Sequence, residues 1–129
     1  MRSREDIQKE IIENNEKSNS VNFTGTINLC KSLEKNPPKQ LVFISSVQVY
    51  GKTSGIDLDE STPIKPTSPY GKSKYDAETY LIEWSKNHNV ILTILRPPLI
   101  LGTGMKGTLR SMVNGIYRGY YHHIKGNQA

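Results

Sequence analysis

The chain has 129 residues, 35% of them hydrophobic and 22% charged, and a formal net charge of +5. This composition fits one soluble globular domain and contains no run long and apolar enough to cross a bilayer; the charged start, Met1 to Asp6, leads into no apolar signal segment, so a cytoplasmic protein with no membrane partner is expected. Cys30 is the single cysteine, which excludes an internal disulfide and argues against a cysteine-based metal site.

In chain order, residues 5–13 read as a short helix and the polar stretch Asn14 to Ser20 as a break. From Val21 to Leu33, the spacing of Val21, Gly25, Leu29 or Cys30, and Leu33 suits one buried helical face, with Cys30 a small buried residue. Asn36-Pro37-Pro38 ends that helix, because proline offers no N–H and restricts its predecessor. Leu41 to Ile44 is a continuous apolar run, as expected of a strand buried on both faces of a parallel sheet, and Ser45-Ser46 follow at its carboxyl end.

Residues 51–68 form a loop rich in Gly, Pro, Ser, Thr and Asp, long enough to suggest a functional role. Ser68 and Pro69 then read as N-cap and first residue of a helix running to about Asn87, with Ala77, Leu81 and Trp84 on its buried face. Val90 to Leu95 is a second buried strand, and strand, helix, strand predicts a right-handed crossover. A last helix is expected over Thr108 to Tyr117, before Gly119.

Charge is distributed unevenly. Glu83 is the last acid, so Lys86, Arg96, Lys106, Arg110, Arg118 and Lys125 form an uncompensated positive tail. An anionic partner, a phosphate-bearing small molecule or nucleic acid, is one explanation; acids elsewhere in a longer chain are the other. Tyr117, Tyr120 and Tyr121 lie among these charges, but no nucleic-acid-binding motif accompanies them, so no nucleic-acid partner is expected. The adjacent His122 and His123 have no further His, Cys or carboxylate nearby, so no metal site is expected either.

Gly102, Gly104 and Gly107 fall in the spacing of a dinucleotide fingerprint. That motif needs a turn leaving the strand directly and an acid about 20 residues later to hold the ribose. Arg96-Pro97-Pro98 interrupts the path and no acid follows, so these glycines read as a flexible glycine-rich loop. Chemistry is better placed at Ser46, Tyr70 and Lys74. Tyr70 and Lys74 are four apart and share a helical face. A phenol ionises at about pH 10, but a neighbouring ammonium favours its anion and supplies a general acid/base. Ligands of open parallel sheets sit at the carboxyl ends of strands, where Ser46 lies.

The stretches "VNFTGTINL", "LVFISSVQVYG", "ESTPIKPTSPYGKSKYDAE" and "LRPPLILGTG" resemble, in order and spacing, the central part of extended short-chain dehydrogenase/reductases, the NAD-dependent epimerase/dehydratase family. The match runs from about Val21 to Gly104. The resemblance implies an α/β fold, a partial Rossmann-like doubly wound parallel sheet lacking the N-terminal glycine-rich half, with residues 1–129 one partial NAD(P)-binding domain. It implies Tyr70 as catalytic acid/base, Lys74 as the residue that binds nicotinamide ribose and favours the phenolate, and Ser46 as hydrogen bonder to the substrate oxygen.

Asn22 corresponds to the family's helix asparagine near the cofactor, with Gly25 allowing close packing, and Pro97 and Pro98 lie where the family's backbone passes nicotinamide and sugar. Lys106 and Arg110 are expected to meet a substrate phosphate. The cofactor implied is NAD or NADP, the substrate a nucleotide sugar, and the intact enzyme a homodimer. Sugar 4,6-dehydratases of the family carry an acidic pair where this chain has Val47-Gln48, so epimerase or reductase chemistry is expected over dehydration. Leu101 stands where many members have tyrosine, which leaves substrate choice open. The alternative is a catalytically inactive fragment that serves as a binding or assembly module, its Val21 to Leu33 helix mediating pairing.

Overall fold

The computed structural model describes residues 13, 15–17, 19–52, 58–100, 102–104 and 108–120. The helix expected over 5–13 falls outside them save for Glu13, as do Leu101, Lys106, Gly107, His122 and His123. The chain divides into two compact units, Met1–Pro98 and Leu99–Ala129.

In the first unit, a π-helical segment, Asn19–Thr24, runs into helix α1, Gly25–Leu33. The break expected over Asn14 to Ser20 is not one: Asn15, Glu16 and Lys17 are helical, and Asn19 and Ser20 belong to the π-helical segment. Poor helix formers are a weak prior that tertiary contacts override, and here the Asn22 side chain is held by Ser73 at 3.1 Å. The wider π turn also displaces the helical face. Val21, expected inside, is 64% exposed; of the alternatives Leu29 or Cys30 it is Cys30 that is fully buried, Leu29 being 51% exposed, and Leu33 packs on the core.

Strand β1, Gln40–Ile44, follows the prolines. A short 3₁₀ turn, Val47–Tyr50, leaves its carboxyl end and is capped by Ser46. Helix α2, Pro69–Asn87, begins as its sequence dictates: the Ser68 hydroxyl accepts from Gly71 N–H at 3.0 Å and Pro69 takes a first-turn position where no N–H is needed. Asn89, in the left-handed region at φ 55°, turns the chain into strand β2, Ile91–Leu95. The strands pair in parallel, from Gln40 opposite Ile91 to Ile44 opposite Leu95.

Cys30, Leu81, Trp84 and Val90 form the buried core, against which Leu33, Leu41, Phe43, Tyr80 and Leu92 pack. Burial, reinforced by Glu34, pushes the Cys30 thiol above its ordinary pKa, in keeping with a core residue. Ala77, Leu81 and Trp84 line the inner face of α2 as expected. The strands correct one expectation. Leu41, Phe43 and Leu92 face the helices, but Val42, Ile44 and Ile91 are at least half exposed, so among the described residues only one face of the sheet is covered.

The second unit contains helix α3, Thr108–Tyr117, where it was expected. Gly119, at φ 70°, closes it: Gly119 N–H donates to Ile116 O and Tyr120 N–H to Gly115 O.

Two glycines of the first unit differ in what they require. A Cβ on Gly71 would sit 2.5 Å from the Gln48 carbonyl oxygen, backbone against backbone. Gly25, read as allowing close packing, would place a Cβ 3.7 Å from Ser20 O, an ordinary contact. Gly71→Ala is therefore expected to cost about 1–3 kcal/mol through overpacking, and Gly25→Ala to stabilise by about 0.5–1 kcal/mol through helix propensity. Denaturant melts of the two variants measure both; equal effects would contradict the assigned contacts.

Candidate active site

Ser46, Tyr70, Lys74 and Pro97 all lie at the carboxyl end of the parallel pair or on the helix that packs against it. Backbone bonds extend the pairing past the strands: Ser45 N–H donates to Leu95 O at 2.7 Å and Val47 N–H to Pro97 O at 3.3 Å. The Val47–Tyr50 turn is thereby fixed beside the end of β2. On its other side the turn meets the first turn of α2, where Gly71 permits the approach to Gln48. A side-chain link closes this contact, the Ser68 hydroxyl donating to Gln48 Oε1 at 2.9 Å.

Ser46 Oγ accepts from Gln48 N–H at 3.2 Å. One oxygen lone pair is thus engaged, and the hydroxyl proton remains to be donated elsewhere. Tyr70, in the first turn of α2, is 38% exposed. Lys74, one helical turn on, donates through Nζ to Ile44 O at 2.9 Å and lies 6.0 Å from the Tyr70 ring centre and 5.0 Å from that of Phe43. Burial holds the Lys74 ammonium below its ordinary pKa. One of its three donors is used on Ile44 O.

Asn22 reaches this helix from the π-helical segment. Its Nδ2 donates to Ser73 Oγ, and Ser73 Oγ donates to Tyr70 O at 2.9 Å. Ser73, 98% withdrawn from solvent in the sense that its exposure is 2%, was not legible as a site residue. The structure therefore brings Asn22, Ser73, Tyr70 and Lys74 into one connected group and sets Ser46 and Pro97 on the neighbouring strand ends. Pro98 is exposed. Arg110 belongs to the second unit, where it lines an open cleft of about 450 Å³ with Gly102, Thr103, Gly104, Val113 and Asn114; Lys106 lies outside the described residues.

Arg96 corrects the reading of an uncompensated positive tail. Its Nε and Nη2 donate to Glu78 Oε1 and Oε2 at 3.1 and 2.7 Å, and its Nη1 donates to Tyr50 Oη at 2.9 Å. The hydrogen bonds to Glu78 are the main reason its pKa is pushed up. Arg96 is thus neutralised inside the fold by an acid 18 residues earlier in the chain. Glu78, 1% exposed, was also missed. Its signal was the helical spacing Tyr70, Lys74, Glu78, which puts all three on one face.

Among the described residues, no group of three or more His, Cys, Asp or Glu could hold a metal ion and no helix is long and apolar enough to cross a membrane.

Comparison with known proteins gives this arrangement a context. A sequence model of the NAD dependent epimerase/dehydratase family matches residues 7–127. The chain is 39% identical over 103 residues to N-acetyl-alpha-D-glucosaminyl-diphospho-ditrans,octacis-undecaprenol 4-epimerase of Escherichia coli O157:H7, covering 78% of this chain and 31% of that protein. It is 32% identical over 101 residues to UDP-glucose 4-epimerase of Vibrio cholerae, covering 77% and 31%. Among solved structures, RMD from Pseudomonas aeruginosa complexed with NADPH superposes with a TM-score of 0.74 at 26% identity, over 86% of this chain and 40% of that one. The chain thus spans about a third of the length of the curated relatives it matches.

The environment of Lys74 predicts a titration. Burial disfavours the charged form, so an isotope-labelled methyl-lysine resonance of Lys74 should titrate at lower pH than a free lysine side chain. The unfolded chain then holds this proton more tightly than the folded one, and stability rises with pH between the lowered folded value and the ordinary one. Measured against Lys74→Met, the wild-type melting temperature should climb through that interval; a Lys74 resonance titrating at or above the ordinary value would contradict it.

Proposed function

The chain belongs to the NAD-dependent epimerase/dehydratase family, and on that premise we propose that it carries the proton-transfer centre of an NAD(P)-dependent epimerase or oxidoreductase acting on a nucleotide sugar. The observation that carries this reading is Lys74, anchored to the carbonyl at the end of β1 and lying beside the Tyr70 ring on the same helical face. Both curated relatives described above are 4-epimerases, which favours inversion at a sugar hydroxyl within this class.

In this reading Tyr70 removes the proton from the sugar hydroxyl and later returns it. Lys74 offers its remaining N–H donors to the nicotinamide ribose. Ser46, its oxygen already accepting from Gln48 N–H, donates its hydroxyl proton to the same sugar oxygen. Nicotinamide, when bound as NAD or NADP, supplies the hydride acceptor and donor. Asn22 and Pro97 border its site, Pro98 borders the sugar, and Arg110 with Lys106 meets the diphosphate. Val47 and Gln48 put no second acid/base after Ser46, so the centre lacks the pair that elimination of water requires.

Residues 1–129 form, on the same reading, one partial NAD(P)-binding domain, with 21–104 its best-matching core, in a cytoplasmic homodimer without nucleic-acid or membrane partners. A second reading, a binding or assembly module without catalysis, is favoured by one observation, the exposed apolar sheet face of Val42, Ile44 and Ile91.

Calorimetric titration of the full chain with NAD and NADP, paired with turnover of UDP-sugars, separates the readings. Turnover is expected of the intact enzyme, in which Tyr70→Phe should retain cofactor binding while losing about 10²- to 10⁴-fold in turnover; residues 1–129 alone, a partial domain on this reading, are expected to bind no cofactor. Turnover unchanged in Tyr70→Phe in the intact enzyme would remove Tyr70 from the chemistry and favour the assembly module; saturable binding by residues 1–129 alone would mean that the missing fingerprint is replaced.

A further inference from the structure

The proton-transfer reading uses Ser46, Tyr70 and Lys74 and leaves the buried Glu78 and its partner Arg96 without a role. Glu78 is 1% exposed and the Arg96 side chain 17%. Replacing a buried ion pair by well-packed apolar side chains is often neutral or stabilising, so burial of this pair is not explained by stability. Its geometry is more specific than stability requires. The two ends of the Arg96 fork are taken by the two oxygens of one carboxylate, the third nitrogen by the Tyr50 hydroxyl, and the guanidinium carbon lies 5.1 Å from the Tyr50 ring centre.

These three residues come from the three elements that meet at the strand ends. Glu78 lies on α2, two helical turns beyond Tyr70 and one beyond Lys74, on the same face. Arg96 follows β2 and precedes Pro97. Tyr50 ends the turn whose first cap is Ser46. That turn has little hydrogen bonding of its own: Val49 N–H to Ser46 O, Gly51 N–H to Gln48 O and Gln48 N–H to Ser46 Oγ, each at 3.2 Å.

We propose that Glu78 is a positioning residue: through the fork of Arg96 and the Tyr50 hydroxyl it fixes the Val47–Tyr50 turn, and so the Ser46 hydroxyl, relative to the helix that carries Tyr70 and Lys74. The catalytic consequence rests on the proposed function; the order of the turn does not. Arg96 holds Tyr50 from both its hydroxyl and its ring face, which sets the direction in which the turn leaves β1. An apolar pair in the same space would fill it without directing Tyr50.

The test uses the double variant Glu78→Leu/Arg96→Met in the full chain, which removes both charges together and leaves no unpaired ion. In the folded double variant, amide exchange at Gln48, Val49 and Gly51 should accelerate about tenfold or more while that of the middle of α2 stays as in the wild type. With nucleotide sugar, kcat should fall about tenfold or more at unchanged KM, the pattern of an interaction used only in the transition state. Wild-type exchange in the turn of a folded double variant would overturn the proposal, and so would wild-type kcat. Should the double variant not fold, Tyr50→Phe, which deletes only the hydroxyl that Arg96 holds, decides it by the same exchange measurement. If the wild-type chain turns over no nucleotide sugar, turn exchange alone decides whether Glu78 positions the turn.

Discussion

A carboxylate cannot be withdrawn from water to 1% exposure without a partner that replaces its hydration. In this chain that partner is Arg96, and the requirement for a bidentate contact fixes how far the end of β2 stands from the third turn of α2. Once that separation is set, the ladder from Gln40 opposite Ile91 to Ile44 opposite Leu95 places the end of β1 as well. The turn leaving β1 is then bound on one side to Pro97 O and on the other to the cap of α2. Lys74 gains its carbonyl neighbour, Ile44 O, from the same arrangement.

The apolar surfaces supply adhesion rather than placement. Cys30, Leu81, Trp84 and Val90 gather the helices on one side of the sheet, and such contacts are non-directional and tolerant of exchange. On the other side, Val42, Ile44 and Ile91 remain uncovered among the described residues, although parallel sheets are ordinarily covered on both faces. That face is chemically a core surface, and it adjoins the strand ends that carry the candidate site.

How much of this was legible in the sequence follows the distance over which each feature is determined. Ser68 and Pro69 announced the start of α2 because capping is decided within four residues, and the apolar runs announced both strands for the same reason. Tyr70 and Lys74 were legible as a pair by helical spacing. The π-helical turn was not, since it is tied to a contact between Asn22 and Ser73, 51 residues apart. Arg96 was misread as unpaired for an equivalent reason: counting charges after Glu83 ignores acids that the crossover brings back. The face of α1 shifted because periodicity arguments assume an unbroken α-helix, an assumption the π turn violates.

Ser46 shows how a neutral neighbourhood limits a site's chemistry. A serine hydroxyl rotates freely unless one of its lone pairs is engaged, and Gln48 N–H engages one. The same residue turns its side-chain oxygen away, to accept from Ser68. Gln48 therefore contributes a backbone donor that orients the hydroxyl and a side chain that secures the turn to α2, and neither group exchanges protons near neutral pH. Val47 adds none. On the proposed function, proton transfer at this end of the sheet falls to the phenol of Tyr70, an arrangement with a single acid/base. Such a centre suits a reaction in which one hydroxyl proton is taken and given back at the same oxygen, as in oxidation and reduction of a carbinol. It does not suit elimination, where a second group must remove a proton from carbon while the leaving oxygen is protonated.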